Sequence, residues 1–486
     1  MVGVATIVTA RTVVKSPPSV LLIATLDTKG REAAFVRDLL TGWGVSVTLV
    51  DVGSLRPPAV PADVPRDTIF ALAGVSPETV TDRGEAVMYA ADGAARFARD
   101  AYARGDVSGV LGLGGSAGTT IATAAMQALP LGVPKVMVST LASGTVRQFV
   151  RDKDIFMLNS VVDILGLNRV SREILSEAAR AMAGLVSHPR PEPQAGDRPL
   201  VAATMFGVTT PCVERARDTL EHAGYEVITF HATGNGGQAM ESLIRDGHIA
   251  GVLDLTTTEL ADEHVGGFLS AGPERLTAAG AAGIPQVVST GAVDMVNFYG
   301  PATVPPKFEG RIFHRHNANV TLMRTTAAEN RAIGADIARK LSAATGPVAV
   351  LLPGRGVSAI DREGQPFDDP VARRALHDAI RAGLEESRGA SATSPAGRAS
   401  ESHQPPRSAK SRSGERWGWG PNAVEGGAAP NELREARDVG AVLSAASGGG
   451  APRALIEVEE LDLHINDPEF ADAAAMKLIE LMKEHS

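Results

Sequence analysis

One cysteine, Cys212, is all the thiol that 486 residues offer. A disulfide framework is excluded, and so low a count fits a reducing compartment, so a cytoplasmic protein is expected. Aromatic side chains are scarce at 4%, which leaves the cores to Val, Leu, Ile and Ala. No apolar run approaches the ~18 residues that span a bilayer, and no membrane partner is expected. Positive charge is in deficit: 47 Lys and Arg against 56 Asp and Glu give a net charge of -9. Nucleic acid is therefore not an expected partner. The first residues lack acids, but they also lack the basic n-region and cleavage site of a signal peptide. They read as a loose arm.

What is present is globular in character. Hydrophobic residues reach 44%, and the length allows two or three domains with their own cores. The segment HPRPEPQ from His188 to Gln194 reads as a linker stiffened by alternating prolines. Beyond it the order of the first half returns. LVAATMFG parallels VLLIATLD, YEVITFH parallels VSVTLVD, and HIAGVLDLTTTE parallels DVSGVLGLGGSA. The fold class predicted is α/β: two Rossmann-like doubly wound subdomains from an apparent internal duplication, with mostly parallel sheets.

The expected domains are a flexible arm at 1–18, a first subdomain at 19–187, the linker at 188–198 and a second subdomain at 199–386. Residues 387–453, rich in Ser, Ala, Gly, Pro and Arg, are expected to form a disordered insertion with a short helix at Asn431 to Ser447. The last stretch, 454–486, reads as a strand and helix that complete the second sheet. Proline-rich residues 54–82 read as an excursion across the surface or a partner-binding segment.

The stretch from Asp106 to Leu129 carries the strongest chemical signal. It reads as a strand, a turn at Gly114, Gly115, Ser116, Ala117 and Gly118, and an Ala-rich helix. Outward backbone amides and a helix N-terminus together suit phosphate or carboxylate. Ser116, Thr119 and Thr120 add hydroxyls for phosphate oxygens or magnesium. No lysine follows the last glycine, which excludes a Walker A loop. The next strand ends in Ser139 and Thr140 rather than in an acid, which weakens a nicotinamide reading. A glycine-rich packing turn accounts for the stretch alone about as well as anion binding does. Two further loops are expected to share its crevice, since both follow strand ends: Asp27, Thr28, Lys29 and Gly30, with Lys29 able to neutralise a phosphate, and the loop of Ser139, Thr140, Ser143 and Gly144. Asp27 or Thr28 alone reads more simply as a helix cap.

In the second copy the glycine turn is replaced by Leu255 to Glu259, with Asp254 and Asp262 nearby. A run of glycines at Gly234, Gly236 and Gly237 precedes a helix and suits either an anion or a simple turn and cap. His314 and His316 fall on one face of a strand, but no third ligand is assigned and no metal site is predicted. Cys212 starts a helix with no base identifiable beside it, so an inert buried thiol is expected. For an enzyme acting in the cleft between subdomains on a small phosphorylated or carboxylate metabolite, the catalytic candidates are Glu259, Asp294, His316 and Arg324. No triad, metal quartet or nucleophile motif is visible.

Several motifs match a known pattern in order: TLDTKG (25–30), GLGGSAGTT (112–120), VSTLASG (138–144), FHATGNGGQAME (230–241), LDLTTTELAD (253–262) and LHINDPEFA (463–471). Over about residues 19–386 and 454–483 the chain resembles the Tm-1-like ATP-binding family, also called UPF0261. The resemblance implies two Rossmann-like subdomains and an ATP–magnesium site in the first, at Asp27 to Gly30, Gly114 to Thr120 and Ser139 to Gly144. Any magnesium would arrive with the nucleotide. It also implies, loosely, a homo-oligomer such as a dimer. The insertion and the arm depart from the family pattern.

Overall fold

A computed structural model describes residues 18–188, 196–392 and 456–485. Nearly all of the expected arm, most of the linker, the insertion from residue 393 onward and its helix at Asn431 to Ser447 lie outside the described residues.

The first sheet is built from β1 (Ser19–Ala24), β2 (Ser46–Asp51), β3 (Gly109–Gly114), β4 (Lys135–Ser139) and β5 (Phe156–Asn159), in the order β2-β1-β3-β4-β5. Every pairing is parallel. Strands such as VLLIA and GVLGLG are apolar throughout because helices cover both faces. Helices Leu26–Gly42 and Arg169–Ser187 bury Val36, Leu40, Leu175 and Met182 on one side. Helices Arg83–Ala103 and Ser116–Gln127 cover the other. The aromatic shortage is met there by Ala86, Ala90, Ala94 and Ala98, one residue per turn, which let the backbones approach closely. Gly93 marks the limit of that approach, since a Cβ there would lie 1.9 Å from the Ile69 carbonyl oxygen.

The second sheet uses β6 (Leu200–Met205), β7 (Glu226–His231), β8 (Gly251–Thr256), β9 (Gln286–Gly291), β13 (Val348–Pro353) and β14 (Ile456–Leu461). Its order, β14-β13-β9-β8-β6-β7, is also all parallel. Without β14 the order is that of the first sheet, so the repeat legible in the sequence is a repeat of topology. Between β9 and β13 the second copy adds an antiparallel sheet of β10 (Met295–Phe298), β11 (Phe313–Asn317) and β12 (Val320–Arg324). After residue 455 the chain returns as β14 and helix Pro468–His485, whose Phe470, Ala474, Leu478 and Leu481 enter the second core.

Residues 54–82 do more than cross the surface. Val64 bridges to Val50, and Ile69 and Phe70 are fully buried. Two of the prolines in this stretch start helical turns: Pro65 precedes the short helix Arg66–Leu72, and Pro77 opens a single turn at Pro77–Thr79. Among the described residues no helix is long and apolar enough to cross a membrane.

Candidate functional site

In a sheet of order 2-1-3-4-5 the chain winds in opposite directions from β1 and β3, and a crevice opens beyond their carboxyl ends. A cavity of about 230 Å³ lies at that place in the first subdomain. Three successive strand ends wall it: Asp27, Thr28 and Lys29 after β1, Ser54 and Leu55 after β2, and Gly115 to Gly118 after β3. Arg83 reaches it from the start of its helix.

Each wall has a local cause. The helix after β1 starts at Leu26, earlier than the sequence suggests, and its cap is neither Asp27 nor Thr28. Buried Asp51 at the end of β2 accepts from Leu26 N at 3.0 Å and from Gly53 N at 2.9 Å, while Arg66 balances its charge. Asp27 is thereby released to organise the neighbouring loop, its Oδ2 accepting from Leu55 N and Arg56 N at 2.9 and 3.2 Å. Its Oδ1 has no hydrogen-bond partner. Thr28 donates to or accepts from Thr25. Lys29 leaves helical geometry (φ -123°, ψ 17°) and kinks the helix at the cavity wall. Gly30 packs against Ala59 and lies beneath the cavity rather than in it.

After β3, Gly115 is the N-cap of helix Ser116–Gln127 and brings no side chain to the first-turn amides. Those donors face the cavity. The glycines of this turn divide by role. A Cβ on Gly114 would lie 2.6 Å from Gly118 Cα and 2.9 Å from Thr119 N, so Gly114 is needed for the turn to close. On Gly115 the nearest atom would be Thr140 Oγ1 at an ordinary 3.7 Å. The protein itself leaves room at Gly115. Thr119 and Ser139 are fully buried and bonded to each other at 2.7 Å, fastening β4 to the helix. Thr120 is exposed and donates to the Ser116 carbonyl. Ser143 and Gly144 lie exposed in the turn after β4, outside the cavity wall.

Electrostatics set this cavity apart. Lys29 and Arg83 both line it, and neither has an ion-pair partner among the described residues. With the helix N-terminus they concentrate positive potential in a protein that is acidic overall. Arg83 escaped the sequence reading, although a signal was present: an arginine in the first turn of a helix opposes the dipole.

The four catalytic candidates of the second subdomain do not converge on one site; only Asp294 and Arg324 come together. Glu259 is fully buried, accepting from Arg275 Nε at 2.6 Å and from Gly234 N and Gly237 N at 2.7 and 3.1 Å. The glycine run thus already holds an internal carboxylate. Burial raises the Glu259 pKa, against the pull of Arg275. Asp254 and Glu241 complete the ring around Arg275. Burial opposes the Arg275 charge, yet Asp254 and Glu259 hold its pKa well above the usual value.

Asp294 and Arg324 form a separate buried cluster with Ser358 and Asp361. His316 stands exposed on the edge strand β11, and His314 leans on Phe367 with ring centroids 6.2 Å apart. Among the described residues no group of three or more His, Cys, Asp or Glu side chains is arranged to hold a metal ion. Cys212 is buried and its thiol is pushed up to about 12 by burial.

Burial, reinforced by the charge of Asp361, lifts the Asp294 carboxyl to about 7; burial does the same to Asp262 against the hydrogen bonds of Asn297. An acid with a raised folded pKa binds its proton more tightly in the folded state. Stability is therefore fully present below the unfolded pKa near 4 and falls as pH rises toward 7. D294N keeps an acceptor for Ser358 and removes the buried charge. Its loss of urea midpoint between pH 5 and pH 8 is expected to be clearly smaller than that of the parent. Identical pH slopes would place the Asp294 titration elsewhere.

Two repeated parallel sheets, the first with a cavity lined by Lys29, Arg83 and a helix N-terminus at its switch point, define an α/β protein of two Rossmann-like halves. The chain belongs to the uncharacterised protein family UPF0261, whose N-terminal and C-terminal domains match residues 18–191 and 198–395. It is 48% identical over 365 residues to a UPF0261 protein of Clostridium tetani, covering 74% of this chain and 90% of the other. It is 42% identical over 381 residues to the ToMV resistance protein Tm-1(GCR237) of Solanum lycopersicum, covering 74% of this chain and 50% of that protein. Among solved structures, a putative UDP-N-acetylglucosamine 2-epimerase from Listeria monocytogenes aligns over 56% of this chain and 79% of its own. The identity is 12% and the TM-score 0.20, too low to argue from.

Proposed function

We propose that the protein binds ATP with magnesium in the switch-point cavity of the first subdomain. One observation carries the reading: Lys29 and Arg83, neither ion-paired among the described residues, line the same cavity as the open first turn of helix Ser116–Gln127. Amides, a helix N-terminus and two free cations suit a chain of phosphates. The orphaned Oδ1 of Asp27 and the hydroxyl of Ser116 are the oxygens suited to magnesium. Bound there, magnesium would neutralise phosphate charge. Glu259, Asp294, His316 and Arg324 do not assemble into one site, so binding rather than turnover is the function this geometry supports.

The two neighbouring glycines give the test. G115V fills space the protein leaves open, so the fold survives and phosphate is pushed off the amides. Each charge-assisted hydrogen bond lost is worth about 1.5–3 kcal/mol, so Mg-ATP affinity by calorimetry is expected to fall roughly 10–100-fold. G114A instead forces backbone against backbone and is expected to cost about 1–3 kcal/mol of stability. Equal affinity in G115V and the parent would reject the assignment.

A further inference from the structure

A second cavity, of about 680 Å³, lies between the subdomains and shares no wall residue with the first. Arg147 and Arg151 enter it from the segment after β4, and Arg245 from the last turn of helix Asn235–Arg245. None of the three has an ion-pair partner among the described residues. Many arginines elsewhere are paired, as Arg66 is with Asp51, Arg215 with Asp472 and Arg311 with Glu329. Two carboxylates, Asp152 and Glu274, also face the cavity without an ion pair. Arg275 and Glu241 in its wall are engaged with one another and with Asp254 and Glu259 behind them. Three free guanidinium groups therefore stand against two free carboxylates.

Arg151 adds an independent mark. Its backbone sits at φ 49°, ψ -115°, a region that favours glycine and costs another residue about 1–3 kcal/mol. The strained residue carries one of the three unpaired cations into the cavity.

We infer that this cleft is a second binding site, for a small metabolite carrying two or more oxyanion groups, phosphate or carboxylate. Arg147, Arg151 and Arg245 hold it, the planar forks matching such groups in bidentate fashion. Gln148 and Gln238 line the same space and supply neutral donors. Because the arginines come from both halves, the occupant ties the subdomains together beyond the half-buried bridge of Lys153 to Asp246 at 2.9 Å. The inference does not rest on the nucleotide assignment.

Pyrophosphate and citrate serve as probes, with acetate as control, at constant ionic strength. They are titrated by calorimetry into the full-length G115V protein, in which the first cavity is blocked. Saturable one-to-one binding of at least one probe is expected, stronger than that of acetate. R147A/R245A, two exposed substitutions, is expected to weaken it roughly tenfold or more. R151G separates ligand from scaffold: it is expected to raise Tm by relieving strain while lowering probe affinity. Binding retained in R147A/R245A, or no saturable binding of either probe to G115V, would overturn the site. Loss of Mg-ATP binding in the parent would strike the nucleotide proposal alone.

Discussion

R275M is expected to destabilise the second subdomain by about 3–5 kcal/mol, the usual consequence of removing one partner from a buried ion cluster. Arg275 is fully buried and bonds Asp254 twice, at 2.5 and 2.7 Å, and Glu259 once. Methionine fills much of the same volume, so packing loss is not the main term. What remains is three buried carboxylates without a cation. Each keeps some donors: Glu241 has the amides of Leu276 and Ala278, Glu259 those of Gly234 and Gly237, and Asp254 the hydroxyl of Thr204. Those bonds do not cancel like charges held close in a weakly screened interior. Urea denaturation followed by circular dichroism gives the magnitude. R275M/D254N/E259Q, which lowers the leftover charge, is expected to recover part of the loss. A triple variant no more stable than R275M would show that repulsion is not what the arginine relieves.

Removing residues 456–486 has the larger effect. The deletion takes β14 from its parallel pairing with β13, where Val348 faces Ile456 and Pro353 faces Leu461. It also strips Ile465, Phe470, Leu478 and Leu481 from a core shared with helix Thr210–His222. At about 1.5–3 kcal/mol for each large apolar side chain buried, these four alone come to about 6–12 kcal/mol, as much as the whole stability of an ordinary domain. The second subdomain is expected to be unfolded while the first retains its sheet. Limited proteolysis would then leave a resistant fragment ending near residue 188. A truncated chain that melts in one transition at the parent temperature would contradict the core described.

The general plan was legible from residues 19–255 because the central strands are largely apolar runs and many turns fall at glycine, proline or a hydroxyl cluster. The tail was legible for the same reason: an apolar, amphipathic stretch cannot remain outside a core. The roles of individual glycines were not. Gly112, Gly114 and Gly115 look alike in sequence, but a Cβ on Gly112 would press Ala122 and Met137 at 2.6 Å, whereas one on Gly115 meets almost nothing. That difference lies in what stands opposite, which spacing along the chain does not encode. The same limit explains why Glu259, Asp294, His316 and Arg324 gathered on paper and not in space. Only Asp294 and Arg324, from a turn and a strand, share a cluster; Glu259 lies on a helix in the Arg275 ring and His316 stands exposed on an edge strand. The antiparallel β10-β12-β11 sheet was hidden because it interrupts a repeat that otherwise reads continuously.

One short segment, Thr140 to Lys153, runs between the two cavities. Thr140 borders Gly115, Arg147 and Arg151 line the cleft, and Lys153 bridges to Asp246 in the second subdomain. An occupant of the proposed cleft site touches this stretch directly, and an occupant of the first cavity stands one residue, Gly115, away from it. With both proposed sites filled, thermodynamic linkage would make any influence mutual: whatever factor a nucleotide applied to affinity in the cleft, a cleft ligand would return to the nucleotide. A dissociation constant measured for either one belongs to a stated occupancy of its neighbour.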